Sequence, residues 1–439
     1  MKCIEDEIPF ELPEGWEWCR FTSVTVNRDS ERKPISSANR TNVAKIYDYY
    51  GASGKIDKID KFIFNEKLLL IGEDGANLVT RSKPIAFFAE GQYWVNNHAH
   101  CIDSTDKLIL EYLCLYINAI SLEKYVTGSA QPKMTQDNMN SILIALPPYE
   151  EQKRLEFQVN HILKTVSTIE NEKEDIVNYI ISAKSKILDL AIRGKLVPQD
   201  SNDEPASVLL ERIRAEKEEL IKAGKIKRDK KESIIFKGDD NSYYEKVGVE
   251  IRCIDSEIPF EIPDGWMYER LGNICSIARG GSPRPIENYL TDDENGLNWI
   301  KIGDTEQGGK YIYSTKEKIR PEGLSKTRYV CSGDFLLTNS MSFGRPYILR
   351  TNGCIHDGWL VIGGIEIAFH QDYLYYMLSS SIMYNALSSL AVGSTVKNLK
   401  SDSVKSLLVP IPPLAEQACI SRQIENYFAT MLPIERSLS

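Results

Sequence analysis

The sequence predicts an α+β protein: two mixed α/β domains, each followed by a long helix, the two helices pairing as an antiparallel coiled coil. Three observations predict this. The chain repeats itself, each copy mixes short apolar strands with amphipathic helix, and each copy closes on an apolar seam in the same heptad register.

The repeat comes first. Residues 2–21 read KCIEDEIPFELPEGWEWCRF and residues 252–271 read RCIDSEIPFEIPDGWMYERL, identical at 11 of 20 positions at an offset of 250. LPPYEEQ (146–152) and IPPLAEQ (411–417) echo each other at an offset of 265, as do EYLCLYI (111–117) and DYLYYML (372–378) at nearly the same spacing. Between these shared ends the copies diverge: residues 27–60 find no close counterpart in 276–330. A common frame with different interior loops points to one kind of job done on two targets. Drift after duplication is the bland alternative.

The first domain is placed at 1–148. FIFNEKLLLIGED (62–74) reads as a strand into a tight turn, residues 83–88 as its return strand, and 106–126 as one amphipathic helix. Helix follows Pro147-Pro148, giving a first spacer helix at 149–196. Leu155, Val159, Ile162, Val166, Ile169, Lys173, Ile176, Ile180, Ala183, Ile187 and Leu190 alternate steps of 4 and 3 without a slip. Such an a/d seam winds left-handed around a partner, over roughly 54 Å for 155–190.

Residues 197–251 read as a charged connector. It carries a short helix over 206–224 that starts after Asp203-Glu204-Pro205 and stops at Gly224. The basic run KIKRDKKE (225–232) follows, better read as a solvated linker than as a phosphate contact. The second domain is placed at 252–413, with YVCSGDFLLTNS (329–340), the return strand 345–349 and one helix over 370–390. A second, shorter spacer helix covers 414–439. Ile420, Ile424, Tyr427, Met431, Ile434 and Leu438 repeat the seam, and Pro433 is expected to kink or weaken its last turns.

Composition sets the class. The 439 residues are 42% hydrophobic and 26% charged, ordinary for a globular chain. No apolar run approaches a membrane span, and the first ten residues hold no signal core, so a cytoplasmic protein is expected. Nine cysteines without a CxxC argue against a disulfide framework. The net charge is −9, spread as −4, −2 and −3 over 1–149, 150–251 and 252–439. That excludes a bulk polycation but leaves room for local basic loops.

With these residues in hand, the chain resembles the specificity subunit of type I restriction-modification systems. The resemblance rests on EIPFELPEGW and EIPFEIPDGW, the Pro-Pro-x-x-Glu-Gln helix starts, and LVPQDSNDEPASVLLERIRAEKEELIKAGKIK. Arg-Gly-Gly-Ser-Pro (279–283), WIKIGDT (299–305) and YYGASGKID (49–57) are similar to segments of that family's target-recognition domains. It covers nearly the whole chain in the family's order. It implies a non-catalytic subunit in which each recognition domain reads one half of a bipartite, asymmetric target on double-stranded DNA. The paired helices would set the spacing and dock two methyltransferase (modification) subunits, which restriction (translocase/nuclease) subunits join. S-adenosylmethionine, ATP and Mg are expected in those partners, and no cofactor in this chain. The short second helix and Pro433 depart from the pattern and leave the far end of this ruler open. A coiled-coil scaffold that binds protein without DNA readout is the alternative.

Candidate DNA contacts sit in polar loops, where Arg, Lys, Asn, Gln and Ser reach phosphates and base edges. In the first domain they are Arg28, Arg32, Lys33, Arg40, Lys55 and Asn97, with Gln131 and Lys133 after Gly128-Ser129. In the second they are Arg279, Ser282, Arg284, Lys326 and Arg328, with Lys397 and Asn398 after Gly393-Ser394. The partner interface is placed on Leu155, Val159, Ile162, Val166, Ile169, Ile176, Ile180, Ile187, Ile420, Ile424 and Ile434.

Three other motifs are set aside. Leu146-Pro147-Pro148-Tyr149 lacks the leading polar residue of an amino-methyltransferase motif, and Ile411-Pro412-Pro413-Leu414 lacks the aromatic too. No P-loop is found, so ATP binding in this chain is not expected; with no carboxylate–metal or cofactor motif either, no catalytic residue is assigned. His98, His100 and Cys101 do not make a metal site, because Cys101 points away from the two histidines on a strand and no fourth ligand is evident. Ile355–Trp359 aligns loosely with this polar cluster.

Overall fold

A computed structural model describes residues 5–128, 131–228, 232–306, 308–340, 343–391 and 398–438. The chain divides into two compact units, residues 1–171 and 172–439.

In the first unit the strands are β1 (Glu17–Arg20), β2 (Val26–Asn27), β3 (Tyr47–Gly51), β4 (Gly54–Ile59), β5 (Phe64–Asn65), β6 (Leu68–Gly72), β7 (Ala86–Ala89), β8 (Gln92–Val95), β9 (Ala99–Asp103) and β10 (Leu143–Leu146). They form sheets β2-β9-β6-β7 and β4-β3-β8-β5, with β1 paired to β10. Helix α1 (Lys107–Ala119) covers the first sheet. Strand β6 explains its own unbroken apolar run. Leu69 and Ile71 face Leu110, Leu113 and Ile117 of α1, while Leu68 and Leu70 join Phe64, Tyr93 and Cys101 between the sheets. A strand buried on both faces has no polar face to show. The helix expected over 106–126 stops at Ala119, and a separate short turn holds Glu123–Tyr125.

Helix α2 (Tyr149–Ile192) carries the predicted seam. Leu155 packs on the first unit's core. Ile162, Val166, Ile169 and Ile176 are exposed, and Ile180 is buried at 7%. The seam is therefore covered along its last turns and open along its middle.

The second unit repeats the plan. After helix α3 (Ala206–Lys222) come β11 (Ser233–Lys237), β12 (Tyr243–Val247), β13 (Glu250–Cys253), β14 (Met267–Arg270), β15 (Ser276–Arg279), β16 (Leu290–Thr291), β17 (Leu297–Ile300), β18 (Tyr311–Ile312), β19 (Glu317–Ile319), β20 (Arg328–Val330), β21 (Phe335–Thr338), β22 (Pro346–Leu349), β23 (Gly353–Ile355), β24 (Trp359–Gly363) and β25 (Leu408–Ile411). The order β15-β24-β21-β22 matches β2-β9-β6-β7, and β19-β17-β23-β20 matches β4-β3-β8-β5. The parallel pair recurs too: β3 with β8, and β17 with β23. The middles that diverge in sequence thus share one topology.

One further expectation is corrected. The helix expected over 370–390 is two, α4 (Gln371–Ser379) and α5 (Ser381–Leu390). Ser380 is extended between them, and its hydroxyl caps α5 by accepting from the Met383 N–H. The connector carries the expected short helix and also contributes to the core. Leu209, Leu210, Ile213 and Ile235 lie in the second unit's core, and β11-β12-β13 form a sheet of their own. Helix α6 (Leu414–Leu438) runs on through Pro433. α2 and α6 meet antiparallel within this unit. Lys184 Nζ bonds Glu435 Oε1 at 2.6 Å, and beyond α2 Gln199 Nε2 donates to Glu416 Oε1 at 2.6 Å, in opposite order along the two segments. Ile187, Ile420 and Ile424 pack there, while Ile434 is exposed.

Candidate nucleic-acid interface

In the second unit the site grows from the turn after β15. Gly280 and Gly281 let this turn lie on the backbone of Ile355, His356 and Lys326, where a Cβ would overlap carbonyl oxygens. That contact delivers three side chains to Asp357, in the turn before β24. Ser282 Oγ donates to Asp357 Oδ1 at 3.0 Å, Arg279 Nε donates to the Asp357 carbonyl at 2.9 Å, and Arg284 reaches Oδ2 at 3.4 Å. Arg328 Nε donates to the Arg279 carbonyl at 3.3 Å. Lys326 Nζ donates to Tyr289 OH at 2.6 Å and lies over that ring.

One carboxylate thus gathers several cations at an exposed edge. Burial raises the Asp357 carboxyl, but Ser282, His356, Arg279 and Arg284 outweigh it and hold the group below the usual carboxylate range. Burial pushes His356 down, Lys301, Arg279 and Arg284 push it the same way, and Asp357 pulls it up. A neutral ring fits its bonds: Nδ1 accepts from the Gly358 N–H at 2.9 Å, leaving Nε2–H for Asp357 at 3.0 Å. Arg284 is 80% exposed and Arg279 49%. Ion pairs this exposed are weak and exchange readily for a phosphate or a guanine edge.

The first unit uses the same place differently. The turn before β9 holds Asn96, Asn97 and His98, so the loose alignment with 355–359 agrees with strand order. His98 Nδ1 lies 2.7 Å from Asp74 Oδ2, and Asn97 is exposed beside it. The arginines are spent inside the unit. Arg28 binds Glu31, Glu66 and Asp103, Arg32 binds Asp29 and Glu73, and Arg40 binds Asp57 while lying 4.3 Å over the Tyr49 ring. Arg32 and Arg40 are 13% exposed. These three hold the fold rather than a free charge at the surface. Lys33 and Gln131 are exposed, Lys55 pairs with Asp48 at 2.6 Å, and Lys133 with Glu73 at 3.1 Å.

The chain that follows each Gly-Ser repeat, from residue 131 and from residue 398, lies at this end in its own unit. The Met134 N–H donates to the Glu73 carbonyl at 2.8 Å, and the Leu399 N–H donates to the Asn339 carbonyl at 2.9 Å. Lys133 and Asn398, one residue earlier, are thereby held beside the turns before β9 and β24. Lys397 lies outside the described residues.

Sequence reasoning missed the acids. Asp357 organises one edge; Asp29 and Glu73 organise the other. Donor atoms of Asp29, Glu73 and His100 lie within 4.8 Å of one another, a metal-like grouping. Arg32 and Lys133 already neutralise the carboxylates there. His100 spends Nδ1 on Asp29 Oδ2 at 2.6 Å and Nε2 on the Met134 carbonyl at 2.9 Å. Cys101 faces the other way, into the layer between the sheets.

Residues 13–187 and 263–438 match the type I restriction modification DNA specificity domain. The chain belongs to that family. It is 27% identical to the EcoEI specificity subunit of Escherichia coli over 98% of this chain and 80% of that one. It is 29% identical to the Escherichia coli EcoAI specificity subunit over 63% of this chain, spanning about half of that subunit's length (54%). A solved chain from work on complex assembly and conformational transition of the type I R-M system shares the fold, with TM-score 0.55, 16% identity, and coverage of 98% of this chain and 94% of that one. A specificity-domain family accounts for the repeat: one fold twice, with different side chains at the same edge. Among the described residues no helix is long and apolar enough to cross a membrane.

Proposed function

We propose that this chain is the DNA-reading subunit of a type I restriction-modification complex. Domains at 1–148 and 252–413 each read one half of a bipartite, asymmetric target on double-stranded DNA. The observation that carries the reading is the matched strand order with mismatched edges. An Asp357-centred arginine turn stands in one unit where an Asn97, His98 and Lys133 edge stands in the other. Different donors at one place select different bases.

The helices at 149–196 and 414–439 would set the distance between half-sites. The open seam of Ile162, Val166 and Ile169 supports a further role, docking two methyltransferase subunits, with restriction subunits joining that core. Catalysis, S-adenosylmethionine, ATP and Mg then belong to those partners, and the assembly works in the cytoplasm, where chromosomal DNA lies. The test is to co-express the chain with the methyltransferase encoded beside it in a methylation-free host and map methylated bases genome-wide. A split, asymmetric motif with a fixed gap is expected. No new methylation from an assembled complex would sink the reading and favour a protein-binding scaffold.

A further inference from the structure

Strand register puts Glu73 and Asn339 at one position of the repeated fold. Gly72 pairs with Ala99 at the end of β6 and Thr338 with Trp359 at the end of β21, and the two residues follow directly. Each bonds the same two pieces of backbone. The Glu73 N–H donates to the His98 carbonyl at 2.9 Å, and the Glu73 carbonyl accepts from the Met134 N–H at 2.8 Å. The Asn339 N–H donates to the Gly358 carbonyl at 2.9 Å, and the Asn339 carbonyl accepts from the Leu399 N–H at 2.9 Å. The turns they hold are built alike too. Asn96 Oδ1 accepts from the His98 N–H at 2.8 Å, where His356 Nδ1 accepts from the Gly358 N–H at 2.9 Å. The main chain is shared at this position, and the side chain is what differs.

The two side chains act in opposite ways. Glu73 is buried, and its carboxylate meets two cations: Oε2 lies 2.6 Å from Arg32 and Oε1 3.1 Å from Lys133. Arg32 also donates to the Ala99 carbonyl at 2.6 Å, so the carboxylate is fixed from behind while half-exposed Lys133 stands in front. An ammonium against a fixed carboxylate carries little net charge outward. It keeps N–H donors for a base edge and loses most of its pull on phosphate. Asn339 is buried and neutral. Its Nδ2 donates to the Asp357 carbonyl at 2.8 Å, the same carbonyl that takes Arg279 Nε at 2.9 Å. Its Oδ1 has no hydrogen-bond partner among the described residues. The amide thus serves through its donor end, steadying the Asp357 turn without neutralising an arginine.

We propose that Glu73 and Asn339 are equivalent positioning residues that determine specificity, one for each half of the target. Glu73 turns Lys133 from a phosphate anchor into a donor aimed at a base edge. Asn339 aims the Asp357 turn and leaves its arginines charged. This role rests on the reading of the two edges as the DNA contacts. It has a signature that a structural role lacks. A cation on a phosphate binds any sequence and adds about 0.9 to the slope of log affinity against log salt, whereas a donor on a base edge adds preference. Lys133 is therefore expected to add preference and almost no slope for as long as Glu73 holds it.

The test uses the complex assembled with the methyltransferase, and duplexes carrying its mapped target intact or altered in one half. Glu73→Gln keeps both backbone bonds and releases Lys133, while Arg32 keeps Asp29 at 3.4 Å. It should steepen the salt dependence by about 0.9 and cut preference in the first half at least about fivefold, with the second half unchanged. Lys133→Gln, at a half-exposed position, does not depend on how the core tolerates Glu73→Gln. It should cut the same preference and leave the salt slope as it was. Asn339→Leu should cut preference in the second half at least about fivefold, again at an unchanged slope. A Lys133→Gln complex whose slope flattens by about 0.9 makes Lys133 an ordinary phosphate contact and overturns the proposal. So does a variant that shifts both halves alike, which marks a folding role, or one that leaves its own half unchanged. A parent complex with no split target removes the DNA reading and this role together. A parent that reads both halves, beside variants that match it, overturns this role alone.

Discussion

Ser282 and Asp357, 75 residues apart, share a hydrogen bond of 3.0 Å that fixes the Arg279–Arg284 turn against the strand behind it. The turn is held from below by a carboxylate while Arg284 faces water. Its arginines are thus positioned without being consumed, unlike Arg28, Arg32 and Arg40.

The first prediction follows. Arg279→Ala with Arg284→Ala should relax base preference in one half of the target and leave the other half unchanged. A well-placed arginine contact is worth about 1–3 kcal/mol of discrimination, so roughly tenfold to a hundredfold is at stake. Competition binding of the assembled complex with duplexes altered in each half reads this directly. Unchanged preference in both halves removes the turn from the interface.

The second concerns the seam. Ile180 is 7% exposed and Ile176 41%, one turn apart on α2. Ile180→Asp buries a charge and should cost about 3 kcal/mol or more. Ile176→Asp should cost less than about 1 kcal/mol and show itself in weakened assembly with the methyltransferase. Urea unfolding and size-exclusion of the complex separate the two. Equal stability losses would mean the seam is evenly covered.

The third concerns acid. Burial raises the Asp29 carboxyl, but the bond and charge of His100, the Cys101 N–H and Arg32 more than offset it, leaving it below the ordinary carboxylate range. A folded value below the unfolded one of about 3.9 gives stability that is fully present above that range. It is lost as pH falls through the folded value. Asp29→Asn leaves His100 and Arg32 short of a partner and should cost about 3 kcal/mol at neutral pH. The deficit should shrink on acidification, because protonation does to the native carboxylate what the substitution does. A deficit constant with pH in urea melts would falsify this account.

What the sequence disclosed follows from where information is local. The repeat, the long helix and the strand-and-return pairs were legible because period and spacing lie along the chain. The ion pairs of Arg28, Arg32 and Arg40 were not. An arginine in a polar loop looks the same whether its carboxylate is Glu66, 38 residues away, or a phosphate. Ser380 was missed as a break because its neighbours keep the helical period on both sides. The connector misled for a third reason. Its charges are solvated on one face of α3, while Leu209, Leu210 and Ile213 on the other are too few to outweigh them in composition.

That connector supplies the last prediction. Leu209 and Leu210 are 1% exposed, packed with Trp266 and Tyr268 of the repeat motif. Truncating either to Ala should cost about 2–5 kcal/mol, as for a core leucine, where a linker residue would cost almost nothing. Strand β12 adds an electrostatic tie. Arg270 Nε donates to Glu245 Oε1 at 2.9 Å, and Arg252 pairs with the same carboxylate. Burial raises the Glu245 carboxyl, but Arg270, Ser233 and Arg252 together bring it down to about 2. The sign is again that of a depressed carboxylate: stability is present above about 4.3 and lost as pH falls toward 2. Glu245→Gln should therefore destabilise the second unit at neutral pH and flatten its acid limb, whereas Leu209→Ala lowers stability equally at every pH. Urea melts of the full chain at pH 7 and pH 4 distinguish the two shapes. If both variants melt like the parent chain, residues 206–253 are a tether after all, and the second unit's core must close without them.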